Sequence, residues 1–273
     1  MSTQADGTLV TGTFAELFAE TDAERLYLLD PPEVLLRPLV ESLAAFDETP
    51  PTVRVLTDET TLRRFRRDFE AAATAAGLVA ADTLAVRVWA NSGAVTPLLA
   101  GPDRVYVPVV LGGVDTVVAA APADCAPSVF QFCVEAWADT DQFPLRTPPL
   151  AEVRDSLASE FGPEFRADFD AVRSTTERAH DPREFDPALV ALCLGAHYER
   201  LHYDVSGWGA EIGLASKATF SRKKGHLEDL GVLTTEQVST RTGRPRQRLL
   251  LTDEYRERVA DEGIVAVIRS LLY

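Results

Sequence analysis

Asp204-Val-Ser-Gly-Trp-Gly-Ala-Glu-Ile-Gly-Leu-Ala-Ser-Lys-Ala-Thr-Phe-Ser-Arg-Lys-Lys-Gly-His-Leu-Glu-Asp-Leu-Gly-Val-Leu233 is the stretch that decides the fold. Trp208 and Ile212 are four residues apart and face a core from one short helix, which Gly213 stops because glycine tolerates the angles that end helices. Ser216 is a good N-cap for the next helix, since its hydroxyl accepts an otherwise unpaired amide of the first turn. That helix is expected to run from Lys217 to Leu230, with Gly231 as its left-handed stop. At 100° per residue Phe220, Leu227 and Leu230 fall on the inner face. Ala218, Ser221, Arg222, Gly225 and His226 fall opposite, mostly small residues around one long cation. Two extended runs follow, joined at Thr242-Gly243-Arg244-Pro245 as a β-hairpin. Helix, turn, helix and hairpin in this order make a winged helix-turn-helix.

Charge separates this stretch from the rest. The chain carries 27 Lys plus Arg against 42 Asp plus Glu, a net of −15. Between Val205 and Leu251 there are eight basic and four acidic residues, so this region is +4 and the remainder −19. All three lysines, Lys217, Lys223 and Lys224, lie here. A cationic island on a helix and a wing, in a molecule that otherwise repels polyanions, is the footprint of a DNA reader. Charge alone fits an ordinary solvated helix face equally well. Ser221, Arg222, Gly225 and His226 are the candidates to face bases in the major groove, where Arg222 can take guanine bidentately. Ser216 at the helix start, with Lys217, Thr219, Lys223 and Lys224, is placed to hold phosphates. Arg241, Arg244, Arg246 and Arg248 are the clamp from the wing, and Gly243 permits its tight turn. Lys224 sits four residues after Phe220, where an apolar residue is usual. Either its stem packs while the ammonium reaches a phosphate, or the helix is rotated from this assignment.

Tyr203-Asp204-Val205-Ser206, Trp208-Gly209, Glu211, Gly213, Ala215 to Arg222 and Gly243-Arg244-Pro245-Arg246 together resemble a haloarchaeal family of winged-helix transcriptional regulators, the TbsP type. The specific part of the resemblance covers the last third of the chain. It implies a sequence-specific transcription factor linked to central carbon metabolism, since the family is tied by name to suppression of the sugar-responsive regulator TrmB.

A chain of 273 residues is long enough for two domains with proper cores. Its 46% apolar content excludes wholesale disorder. The acidic excess, with three lysines against 24 arginines, fits a salt-rich cytoplasm. At molar salt screening shortens electrostatic reach to a few ångströms, so hydrogen-bonding fit must contribute more than phosphate attraction. Cys125, Cys133 and Cys193 have neither metal nor redox spacing and read as buried free thiols. The first residues have no signal-peptide pattern. The most apolar run, Val105 to Ala121, is broken by Pro108, Gly112, Gly113 and Asp115, which excludes a bilayer span there. A cytoplasmic protein is expected.

The fold expected for residues 1–145 is an α/β domain with a mixed sheet, a sensor or dimerisation domain. Phe14, Leu17 and Phe18 open a short helix, and Leu26 to Leu29 reads as a buried strand. Asp30-Pro31-Pro32 ends that strand in a turn that could start a helix, and the regular helix carrying Leu36, Leu39, Val40 and Leu43 is expected to begin at Pro38. Thr52 to Leu56 is a second strand. Glu59 to Ala76 reads as one helix, ended by Gly77, whose Arg63, Arg64, Arg66 and Arg67 either receive a phosphorylated metabolite or pair with nearby acids. Strands are expected at Leu84 to Trp89, Pro97 to Ala100, Val105 to Leu111 and Val114 to Ala120. The next helix, Pro127 to Ala138, would bury Val129, Phe132, Cys133 and Ala136. The proline-rich stretch Phe143 to Leu150 is the boundary to a helical connector, residues 146–185, interrupted at Gly162-Pro163. Its stripe of Leu157, Phe161, Phe165, Phe169 and Val172 must pack on the first domain or on a second subunit. The winged helix-turn-helix, an α+β domain, spans residues 186–252, opening at Asp186-Pro187 with Val190, Cys193, Leu194, His197 and Leu201 inward. A last helix, Asp253 to Tyr273, capped by Thr252, is a candidate contact for a homodimer binding two half-sites.

An enzyme is the competing class. Residues 1–216 contain no lysine, which removes a Walker-type phosphate loop and a lysine Schiff base. His180, His197 and His202 all lie beyond the α/β half, which leaves that half without a nucleophile-histidine dyad. No Gly-x-Gly-x-x-Gly or Gly-x-Ser-x-Gly occurs, and His197 and His202 have no metal-ligand spacing, so neither a cofactor nor a metal is expected. A metal-dependent carboxylate site and a protein-interaction surface remain the alternatives to promoter DNA as partner, with a small metabolite as a further candidate effector.

Overall fold

The computed structural model describes residues 11–46, 49–90, 93, 96–111, 114–119, 124–177, 185–239 and 245–272. The chain divides into two compact units, Met1–Arg67 with Ala71–Leu145, and Asp68–Glu70 with Arg146–Tyr273.

The first unit begins with β1 (Thr11–Gly12) and α1 (Phe14–Glu20), where Thr13 and Glu16 cap the helix reciprocally. In β2 (Arg25–Leu29) Leu26, Tyr27, Leu28 and Leu29 are all buried, because this strand is covered on both faces. Then follow α2 (Glu33–Ala44), β3 (Thr52–Thr57), α3 (Glu59–Phe65), α4 (Phe69–Ala80) and β4 (Leu84–Val88). The helices let β2, β3 and β4 pair in parallel, which requires crossover connections. After them β5 (Leu98–Ala100), β6 (Val105–Leu111) and β7 (Val114–Ala119) form an antiparallel meander, and α5 (Ala126–Ala138) precedes β8 (Asp141–Gln142). Among the described residues the sheet order is β1-β7-β6-β5-β2-β3-β4-β8, so β2 pairs in parallel with β3 and antiparallel with β5. Alternate side chains serve two cores. Leu26, Leu28, Val53, Val55 and Val86 pack with Leu36, Leu39, Leu43, Leu62 and Ala72. Tyr27, Leu29, Leu56 and Trp89 pack with Cys133 and Trp137 of α5.

Several helix expectations for this unit need correction. The second helix starts at Glu33 and passes through Pro38. The carbonyl that proline leaves unpaired is that of Val34, whose side is exposed to solvent, so the loss is tolerable. The expected single helix from Glu59 is broken at Arg66–Asp68, and its second part runs on through Gly77 to Ala80. Arg63 is paired with Glu59 at 2.8 Å, as the alternative of local pairing had it. In α5 Phe132 is 46% exposed, and Trp137, four residues after the buried Cys133, shares the inward face with it. Cys125 is exposed; Cys133 and Cys193 are buried, and burial pushes their thiols up to about 11 and about 12.

The second unit comprises α6 (Leu150–Phe161), α7 (Pro163–Glu177), α8 (Pro187–His197), α9 (His202–Glu211), α10 (Lys217–Asp229), β9 (Leu233–Val238), β10 (Arg246–Leu251), α11 (Asp253–Glu262) and α12 (Ile264–Leu272). The connector stripe is satisfied inside this unit: Leu157, Phe161, Phe165, Phe169 and Val172 are all buried. Phe161 stacks on Phe165 at 4.9 Å and meets Trp208 edge-on at 5.7 Å, while Trp208 Nε1 donates to Ser156 Oγ at 3.0 Å. Tyr198 donates to Asp168 at 2.8 Å; burial, then that bond, pushes the phenol up to about 12. Asp186 caps α8 through the amide of Leu189, with Pro187 at the first helical position. This helix is buried from Val190 to Ala196 on nearly every side, whereas His197 and Leu201 are half-buried. The expected single last helix breaks at Gly263, whose φ of +83° favours glycine. Thr252 precedes it, but its hydroxyl donates to the Gly231 carbonyl at 2.7 Å rather than capping. Ile264, Val267 and Ile268 are buried against α7 and α8, so the apolar side read as a dimer contact is occupied by the chain itself.

Phe220 is fully buried where α9 and α10 cross, and a Cβ built on Gly209 would lie 2.3 Å from its ring. Only glycine allows that approach. Gly209→Ala is expected to cost at least about 1–3 kcal/mol, the usual price of overpacking a closed core. Urea unfolding checks this, and an unchanged midpoint would show that the contact does not hold the crossing. In the first unit Asp58 caps α3 by accepting the amides of Thr60 and Thr61 and the Thr61 hydroxyl. Burial raises its carboxyl, but the Thr61 and Thr60 bonds together outweigh this and hold it below the usual range. A depressed folded pKa stabilises above the unfolded value and the gain is lost as pH falls through the folded one. Asp58→Ala is therefore expected to cost about 1 kcal/mol at neutral pH. The difference from wild type should shrink below about pH 4.

Candidate nucleic-acid interface

The site is built outward from the turn before α10. Gly213 has φ +77°, and the backbone turns there to bring Ser216 to the cap position. Ser216 accepts the amide of Thr219 at 3.1 Å, and the two hydroxyl oxygens lie 3.0 Å apart. The helix ends at Asp229, with Leu230 as its cap and Gly231 at φ +69°. Phe220 and Leu227 are buried, in agreement with the inner face assigned from the sequence. Leu230 is not: it is 54% exposed, because the helix stops before it and the returning chain seats Val232 and Leu233 in the core instead.

Wing and helix are joined through the core. Strands β9 and β10 pair antiparallel from Leu233–Leu251 to Val238–Arg246. The segment before α9 adds a bridge from Leu201 to Arg248, and the Leu249 amide donates to the Arg200 carbonyl at 2.9 Å. Leu249 and Leu251 are buried. A Cβ on Gly195 would come within 3.1 Å of both Leu249 and Val205, so α8, α9 and β10 converge there.

The outer face of α10 presents Ser221, Arg222 and His226 as exposed side chains, with Thr219 and Gly225 half-buried beside them. Arg222 has no carboxylate partner among the described residues. Lys217, at the first helical position, has its ammonium 5.3 Å from the centroid of the Tyr203 ring. The other two lysines depart from expectation. Lys223 is ion-paired with Asp186, the cap of α8. Lys224 is only 13% exposed, and its ammonium lies 2.9 and 3.0 Å from the two carboxylate oxygens of Glu228, which also accepts the Thr235 hydroxyl. The helix is thus not rotated, and the Lys224 ammonium turns to Glu228 instead of outward. Beside it His202 Nε2 is buried without a hydrogen-bond partner among the described residues. Burial, then the nearby Lys224 charge, holds that imidazole below its usual pKa.

On the wing, Arg246 lies 3.6 Å from Asp204 and 4.4 Å from the Tyr203 ring centroid. Arg248 lies 3.6 Å from Glu236, its cross-strand partner. Arg241, Gly243 and Arg244, the expected wing tip, lie outside the described residues, as does His180. Tyr203, Asp204, Asp186 and Glu228 are the participants that sequence reasoning passed over. Tyr203, Asp204 and Asp186 act on residues of other elements, and spacing along the chain carries no mark of that; Glu228 stands four after Lys224 in the same helix, a spacing that marks the pair.

The family described as transcriptional regulator TbsP-like matches along the chain, its N-terminal domain over residues 2–148 and its C-terminal HTH domain over residues 149–269. No curated protein matches by sequence. Among solved structures, the chain is similar at 11% identity and a TM-score of 0.35 to TrmBL2, an archaeal chromatin protein described as showing a novel mode of DNA binding. That likeness covers 52% of this chain and 57% of the other. The two family matches meet within the proline-rich stretch, close to the division between compact units at Leu145 and Arg146. Residues 2–269 being accounted for in this way, the chain belongs to the TbsP-like family of transcriptional regulators, with its helix-turn-helix domain in the second unit.

Proposed function

We propose that the chain is a sequence-specific regulator that binds double-stranded promoter DNA as a homodimer, with α10 in the major groove and the β9–β10 wing on the backbone. The observation that carries this reading is Arg222. It is an exposed guanidinium without a carboxylate partner among the described residues, in a chain with a large acidic excess, on the outer face of a helix capped at both ends. Such a group is available for the bidentate pair with guanine. Ser221, Gly225 and His226 share its face and would read neighbouring bases. Ser216, Lys217 and Thr219 stand at the helix start, where free amides and the positive end of the dipole favour phosphate. Arg246 and Arg248 supply the second backbone contact. Lys223 and Lys224 play a supporting part, since their charges are met inside the unit.

The resemblance noted in the sequence supports genes of central carbon metabolism as targets, and the acidic composition supports the cytoplasm of an extreme halophile. The protein is a binder, not a catalyst, in this reading. A small metabolite effector belongs to the first unit, at the carboxyl ends of β2, β3 and β4, where open α/β sheets take their ligands. A cavity of about 470 Å³ bordered by Val88, Trp89 and Phe132 lies at the end of β4. No described helix is long and apolar enough to cross a membrane.

Genomic fragments recovered by the purified chain at molar potassium chloride test the proposal. Enrichment of a shared, roughly palindromic site is expected. On that site Arg222→Ala should lose about 1–3 kcal/mol, with little loss on unrelated duplex. Equal loss on both would remove the base-reading role. Light scattering at high salt should give the mass of a dimer, and a monomer would overturn that part.

A further inference from the structure

Cations in the winged helix are held in two different ways. Lys223 and Lys224 have carboxylate partners, which cancel the charge they hold. Among the described residues Lys217 is held by an aromatic ring alone, and Arg246 by the same ring together with a looser acid, Asp204, at 3.6 Å. A ring face attracts a cation through its quadrupole and leaves the full charge in place. The ring is that of Tyr203, near the start of α9, and it is 54% exposed, so it is not a core side chain.

Lys217 makes the point sharper. It stands in the first turn of α10, where the helix dipole disfavours a cation, and that turn contains no acid. The ring of Tyr203 faces its ammonium there without neutralising it. We propose that Tyr203 is the positioning residue of the interface, an aromatic seat that fixes Lys217 of the helix and Arg246 of the wing for two DNA phosphates. This rests on the DNA-binding reading above. As a phosphate arrives, Asp204 gives up Arg246 while the stacking persists, so the wing keeps its place on charge exchange.

The test uses the full chain and a mixed-sequence duplex at low salt, because phosphate contacts are independent of sequence. Tyr203→Leu leaves the net charge unchanged, so a footprint of charge alone predicts no effect. The proposal expects binding weaker by roughly fivefold, and Tyr203→Phe, which keeps the ring, within about twofold of wild type. In a Lys217→Met, Arg246→Met background the effect of Tyr203→Leu should vanish. Melting temperatures of all variants should match wild type. Wild-type binding by Tyr203→Leu overturns the proposal. So does an equal loss in Tyr203→Phe, an undiminished loss in the double background, or a loss that follows a lowered melting temperature. Failure of the folded wild type to bind any duplex is a separate result, seen before any variant is made, and it removes the DNA-binding reading itself.

Discussion

The second unit depends on the seating of one ring. Phe220 reaches the surface of α9 only because Gly209 has no side chain there, and this sets how closely the two helices of the turn approach. From that distance follow the direction in which α10 leaves the core, the outward position of Ser221, Arg222 and His226, and the reach from Tyr203 to Lys217. Burying the ring contributes about 1.5–3 kcal/mol. Its larger effect is geometric, since a helix displaced by the width of a methyl group would carry every outer side chain with it.

Electrostatics on this scaffold is a matter of which cations are left unneutralised. The chain as a whole is strongly acidic, and several of its basic residues have an acid within reach: Arg63 has Glu59, Arg248 has Glu236, Lys224 has Glu228. Surface pairs of this kind contribute little stability. Their consequence is subtraction, because each removes a charge from the sum that an approaching polyanion meets. What remains unpaired among the described cations of α10 is a short set, Arg222 and Lys217.

The elements legible in the sequence are those in which one residue type does one local job. Ser216 caps, Gly213 and Gly231 stop, Gly162-Pro163 breaks, and Leu26 to Leu29 can only be a strand covered on both sides. Where a choice between two plausible residues was settled at a distance, the sequence misled: Phe132 and Trp137 both sit at helix-core spacings, and the sheet beneath selected Trp137. Pro38 reads as a start, yet the helix passes through it, and Val34, whose carbonyl it leaves unpaired, is exposed. The insertion of β5 beside β2 has no local signature at all, being a pairing between segments far apart in the chain. The outer face of α10 was legible residue by residue, and the i, i+4 spacing made the Lys224–Glu228 pair legible too, but Asp186 as the partner of Lys223 could be identified only once the helices had packed.

The bond from Trp208 to Ser156 and the aromatic ladder beneath it bear on how this reader can be cut and recombined. A winged helix is often treated as a portable module beginning at its first helix, here α8. In this chain α6 and α7 supply the floor on which α8 and α9 rest, with Phe161, Phe165 and Phe169 inside a shared core. An excision at Pro187 would bare that apolar floor on one side and leave Trp208 without its acceptor. The piece that keeps the reading surface on its own core is therefore no smaller than the second compact unit, Arg146–Tyr273 with Asp68–Glu70, and the helices that look like a tether are part of the instrument.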